Sequence, residues 1–122
     1  METSTKMIGD EGERIARRHL EDLGYKIRET NWRYKRLEID IIAELPGIIV
    51  FVEVKFRATV EFGEPELFVN RKKQASLIAA ANEYLLTWDL AFEARFDVVS
   101  VTGTSDAPVI RHLEAAFFPV AR

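Results

Sequence analysis

Cysteine is absent from this 122-residue chain, so disulfide frameworks, thiolate nucleophiles, zinc fingers and iron–sulfur clusters play no part in it. Long hydrophobic runs are missing as well. The longest apolar stretches are short, such as 46–52, far below the ~20 residues that a membrane-spanning helix needs. The opening Met1-Glu2-Thr3-Ser4-Thr5-Lys6 has no apolar core, so a secretory leader is not expected. Excess positive charge is lacking too: 17 lysines and arginines against 20 acids give −3, which argues against a protein that coats nucleic acid. No repeat or low-complexity tract divides the chain. These absences lead to the expectation of a soluble, cytoplasmic domain with no membrane contact.

What is present suits a folded domain. Hydrophobic residues make up 48% and charged ones 30%, a composition that excludes disorder. The length suits one domain over 9–122, with 1–8 as a flexible N-terminus. Charge is unevenly placed. Lys26, Arg28, Arg33, Lys35 and Arg36 stand against Glu29 alone, and Arg71-Lys72-Lys73 forms a second basic run. A local basic surface on an acidic protein is therefore open.

Periodicity supplies the elements. Ile15, Ala16, His19, Leu20 and Leu23 recur at helical spacing, predicting a helix over 10–23 that Gly24 ends. Strands follow at 25–32, 37–45 and 48–56, the last two separated by Pro46-Gly47. Asn70 is placed to cap a second helix ending near Trp88, with Ala75, Leu77, Ile78, Ala81, Tyr84, Leu85 and Trp88 as its apolar set. Strands at 95–102 and 109–118 complete an α/β chain of order αβββαβ(β), with a short sheet and two packing helices.

The 37–56 hairpin carries the chemistry. With Pro46-Gly47 as the central turn, paired residue numbers sum to 93, setting Asp40 across from Glu53 and Glu38 across from Lys55. Two carboxylates would then stand about 5 Å apart on strands rich in Ile and Val. Their repulsion needs a proton, a lysine or a cation to offset it. A divalent ion such as Mg²⁺, held by two carboxylates, a strand carbonyl and waters, suits that need. With Lys55 alongside, the set suits attack of water on a phosphodiester. The same four residues also make sense as a solvated outer face crossed by salt bridges.

Asp40 followed thirteen residues later by Glu53-Val54-Lys55 matches the PD-(D/E)xK signature of restriction-endonuclease-like nucleases. The wider string includes Gly12-Glu13, Gly24-Tyr25, Asn31-Trp32-Arg33, Glu38-Ile39-Asp40-Ile41-Ile42-Ala43, Val50 to Arg57, Lys73, Arg95-Phe96-Asp97-Val98-Val99 and Ala116-Phe117. Together these resemble the YraN family of small bacterial proteins over about 9–118. That resemblance implies a restriction-endonuclease-like αβββαβ core, a short mixed sheet flanked by helices. It also implies a Holliday-junction-resolvase-like, metal-dependent endonuclease acting on DNA, with branched DNA as the suggested substrate. It assigns metal binding to Asp40, Glu53 and the Val54 carbonyl, with Mg²⁺ or Mn²⁺ as the ion, and catalysis to Lys55. It gives Glu13 a role in tuning the site, against the plainer reading of Asp10-x-x-Glu13 as a helix-capping pair. Arg33, Arg57 and Lys73 are candidate phosphate contacts, against a merely solvated basic surface. A homodimer is left open.

Two features depart from the family pattern: Leu37 stands where glycine is usual, and Gln74 is not followed by the tyrosine of a Gln-x-x-x-Tyr motif. His19 and His112 read as structural, Trp88 and the phenylalanines as core, and Asp97 as a strand acid paired with a cation. The rivals to a nuclease are a non-catalytic junction-binding module of the same fold and a scaffold whose acids are surface salt bridges.

Overall fold

The computed structural model describes residues 5–57, 69–104 and 106–118, the side chains of 5–9 and 57 excepted. The order is α1 (Thr5–Asp22), β1 (Lys26–Tyr34), β2 (Leu37–Leu45), β3 (Ile48–Arg57), α2 (Arg71–Thr87), β4 (Glu93–Gly103) and β5 (Pro108–Phe117). The five strands form one sheet in sequence order. All neighbours are antiparallel except β3 and β4, whose parallel pairing is made by the crossover through α2. The chain is thus an α/β domain with a five-stranded mixed sheet and two helices, as expected.

Alternation along the strands sorts the core onto two faces. Ala16 and Leu20 of α1 pack on Ile41, Ala43, Val50, Val52, Val99 and Val101. Leu77, Ala80, Ala81 and Tyr84 of α2 pack on Ile42, Ile49, Phe51, Phe96 and Val98. Burial on both faces explains why β3 and β4 read as near-continuous apolar runs.

Several expectations are corrected. α1 begins at Thr5, so Asp10 lies within the helix and cannot cap it. Ala75 is exposed and Ala80 takes its place in the core. Trp88 is 52% exposed because α2 ends at Thr87 and the chain turns at Asp89, whose φ of 53° is left-handed. The Trp88 ring instead packs 5.7 Å from the Arg28 guanidinium, a cation–π contact at the surface. Phe118 is exposed also, whereas Phe51, Phe96 and Phe117 are core. Leu37 leaves the entry to β2 intact: it pairs with Tyr34 and packs against the α2-side core. Asn70 caps α2 as expected, accepting the Lys73 N–H at 2.9 Å. Gln74 donates to the Val69 carbonyl, a structural bond.

Candidate active site

The expected hairpin register holds from Leu45↔Ile48 to Ile41↔Val52 and stops there. The reason lies in the neighbouring strand. Asn31 of β1 adopts a φ of 53°, and on β2 Ile39 and Ile42 both turn to the α2 side while Ile41 faces α1. Strict alternation is therefore broken at Asp40, and β2 leaves β3 one pair short of Asp40 and Glu53. The direct cross-strand pairs Asp40–Glu53 and Glu38–Lys55 do not form in the ladder. Instead, the freed Val54 N–H donates to Asp40 Oδ2 at 2.8 Å, so the carboxylate takes the place of a strand carbonyl.

That position is costly for a charge. Burial, followed by the nearby charges of Glu53, Glu13 and Glu38, pushes the Asp40 carboxyl up to about 7 despite the bond from Val54. Glu13 reaches this region because α1 sits very close to β3. A Cβ added at Gly12 would stand 2.6 Å from the Phe56 ring, so glycine is what allows the approach. Asn31 Nδ2 donates to both oxygens of Glu13, at 3.0 and 3.2 Å, and holds the side chain. In the sequence Asn31 stands out only as part of the family string Asn31-Trp32-Arg33, with no role in the site. An asparagine tolerant of positive φ next to a predicted strand end was the signal.

Glu53 pairs with Lys73 of α2, Nζ to Oε2 at 3.2 Å, and stands near enough to Asp40 for its charge to raise that carboxyl. Lys73 is thus tied to an acid rather than standing as a surface cation. Arg33 lies 3.7 Å from Glu38 across the β1–β2 ladder and is largely exposed. Lys55 shares the Glu53 face, in register with Ser100, whose buried hydroxyl has no hydrogen-bond partner among the described residues. The Arg57 side chain lies outside the described residues. Among the described residues no three acids or histidines are grouped closely enough to enclose a metal ion. The donors at hand are two carboxylates, Asp40 and Glu53, and the backbone of Val54. This is a partial, oxygen-rich set of the kind a hydrated divalent cation uses.

A second cluster lies across the sheet. Asp97 is fully buried and is held by Arg95 through two bonds of 2.9 Å, by Ala115 N–H at 3.0 Å and by His112 at 2.8 Å. Burial alone would raise this carboxyl; the bonds from His112, Arg95 and Ala115 reverse the effect and leave it below the ordinary value. His112 in turn meets His19 of α1 at 3.1 Å. Arg95 also donates to the Tyr25 hydroxyl at 2.6 Å. Asp97 is therefore paired with a cation, Arg95, as expected, and both histidines are hydrogen-bonded within the fold. Period-2 spacing of Arg95 and Asp97 on a strand was the available signal for the first pair; nothing local indicated His112 or His19.

The comparisons with known proteins are consistent throughout. The model of the uncharacterised protein family UPF0102 matches residues 12–101. The chain belongs to this family. A UPF0102 protein of Flavobacterium psychrophilum is 42% identical over 111 residues, covering 91% of this chain and 93% of its own. One from Flavobacterium johnsoniae is 43% identical over 115 residues, with 91% and 94% covered. One from Chlorobium phaeobacteroides is 44% identical over 102 residues, with 83% and 80% covered. UPF0102 is the YraN family that the sequence motifs resemble, and the family match begins at Gly12 and spans Glu13, Asp40, Glu53, Val54, Lys55 and Lys73.

Proposed function

We propose that this UPF0102 protein is a divalent-cation-dependent endonuclease that hydrolyses phosphodiester bonds in DNA. The observation that carries the reading is Asp40. It is a half-buried carboxyl set where β2 parts from β3, near three further carboxylates, with its affinity for a proton raised to about 7. A protein gains nothing structural from such an arrangement, since a neutral asparagine could accept the Val54 N–H equally well. The arrangement is useful where a cation replaces the proton.

In this reading Asp40 and Glu53 hold Mg²⁺ or Mn²⁺, with the Val54 carbonyl as a third donor. The bound ion supplies positive charge against the charge that develops on the phosphate. Lys55, on the Glu53 face, donates to a phosphate oxygen or orients the attacking water. Glu13, fixed by Asn31, adds to the negative field that retains the ion. Lys73, paired with Glu53 at 3.2 Å, holds that carboxylate in place. Branched DNA as substrate is what the sequence resemblance to the YraN family implies.

The test is a panel of linear, flap and four-way-junction DNAs with the purified protein in Mg²⁺ or Mn²⁺. Cleavage that stops in EDTA and in Asp40→Asn supports the reading. Binding of junction DNA without cleavage by the wild type would replace it with the non-catalytic binding module. That alternative draws on the Lys73–Glu53 pair, which occupies one of the two carboxylates.

A further inference from the structure

Of the cations picked from the sequence, Lys73 is tied to Glu53, and Arg33 has an exposed pair with Glu38 at 3.7 Å. A different set is better placed. Arg14, Arg17, Arg18 and His19 of α1 face a groove of about 560 Å³ whose other wall is the start of β5, at Pro108 and Ile110. Ile15, Leu23 and Ile110 give it an apolar floor. Arg17 makes no ion pair among the described residues, and the pairs of Arg14 with Glu11 (3.7 Å) and of Arg18 with Asp22 (3.8 Å) are exposed and weak.

The groove starts beside Glu13 on α1, at Arg14. Arg17 follows Glu13 by four residues, one helical turn and about 6 Å along the same side of α1. Across the sheet, Val54 pairs with Val99 and Val99 with His112, so Asp40's partner residue and His112 lie two strands apart, roughly 10 Å.

His19 is a built feature of this groove. His112 is bound to Asp97 through Nε2 and to His19 Nε2 through Nδ1, so a chain of hydrogen bonds runs from a buried carboxylate out to the helix. With Nε2 committed to His112, Nδ1 is the nitrogen of His19 left to meet a ligand. The groups around His19 are His112 on β5, backed by Asp97 and Arg95 of β4, and Asp22 on its own helix. Tyr25 packs against His112, while Arg14, Arg17, Arg18 and the two acids Glu21 and Asp22 share the groove. Burial and His112 hold the His19 imidazole below its ordinary value, against Asp22. An anion in the groove would favour its protonation.

We propose that the groove between α1 and β5 binds the backbone of a nucleic-acid strand, with phosphates on Arg17 and His19 and sugar faces over Ile15 and Ile110. The strand's direction toward Asp40 rests on the nuclease reading above; the binding itself does not.

The experiment measures affinity for a labelled four-way DNA junction in EDTA, where no cleavage occurs, as salt and pH are varied. Arg17→Ala should weaken binding about three- to tenfold and lower the salt slope by about 0.7–0.9, one phosphate contact, while Arg17→Lys stays near wild type. His19→Gln should match wild type at pH 8 and lose the severalfold gain that wild type shows at pH 6. Unchanged affinity and slope in Arg17→Ala, an unchanged pH response in His19→Gln, or no binding by wild type would each overturn the proposal. The two readings fail separately. Cleavage in Mg²⁺ by a wild type whose binding ignores Arg17→Ala rejects the groove alone; binding that Arg17→Ala weakens, without cleavage, rejects the nuclease alone.

Discussion

Replacing Asp40 by asparagine should make the protein more stable at pH 8, a counterintuitive result for a residue bonded to the backbone. The carboxyl is raised from 3.8 to about 7, chiefly by burial and then by Glu53, Glu13 and Glu38. The sign follows from linkage. An acid whose folded value exceeds its unfolded one favours folding fully below pH ~4, and that contribution disappears as pH rises through about 7. About three units at 1.36 kcal/mol each set a ceiling near 4 kcal/mol, and local relaxation reduces this to roughly 2–4 kcal/mol. Asparagine is neutral throughout and its Oδ1 still accepts the Val54 N–H. Asp40→Asn and wild type should therefore melt together only below about pH 4, with part of the difference already present at about pH 5. At pH 8 the variant should melt higher by roughly 6–20 °C, at about 3–5 °C per kcal/mol for a chain of this size. Excess Mg²⁺ should close the gap by stabilising only wild type, through mass action on the folded state. Thermal melts across pH, with Mg²⁺ or EDTA, decide the matter. A difference that does not grow between pH 5 and 8 would refute the argument that Asp40 is an electrostatically strained carboxyl.

Three further outcomes are expected. Lys73→Ala should cost under about 1 kcal/mol, because the pair with Glu53 is part-exposed, and should raise Mg²⁺ affinity measured by calorimetry by freeing Glu53. Gly12→Ala should destabilise by about 1–3 kcal/mol in urea titrations, since its methyl would meet the Phe56 ring at 2.6 Å and push α1 with Glu13 off the sheet. Asp97→Ala should cost about 3–5 kcal/mol, because Arg95 would be left without its buried partner and Ala115 N–H without its acceptor; a loss below 1 kcal/mol by denaturation would show that water replaces the carboxylate.

The elements and the hairpin register near the turn are legible in the sequence. Leu37–Leu45 forms one strand because apolar residues recur on both faces of it, and Ile41 to Leu45 could pair with 48–52 only in the register that matches those faces. Asn70 was legible as a cap because its side chain serves a donor three residues on, a purely local bond. The residues of the candidate site were legible too, as a spacing of acids and a lysine on paired strands. Their arrangement was not. Where β2 leaves β3 depends on the left-handed Asn31 in a third strand and on which helix claims Ile39. The pairing of Lys73 with Glu53 needs the crossover to bring α2 over the sheet, and the Asp97–His112–His19 chain joins residues 15 and 93 positions apart. Trp88 left the core because its position just beyond the helix end, not its periodicity, sets its direction. Periodicity reports which face a residue belongs to on its own element. Only the packing of elements against one another decides what that face meets.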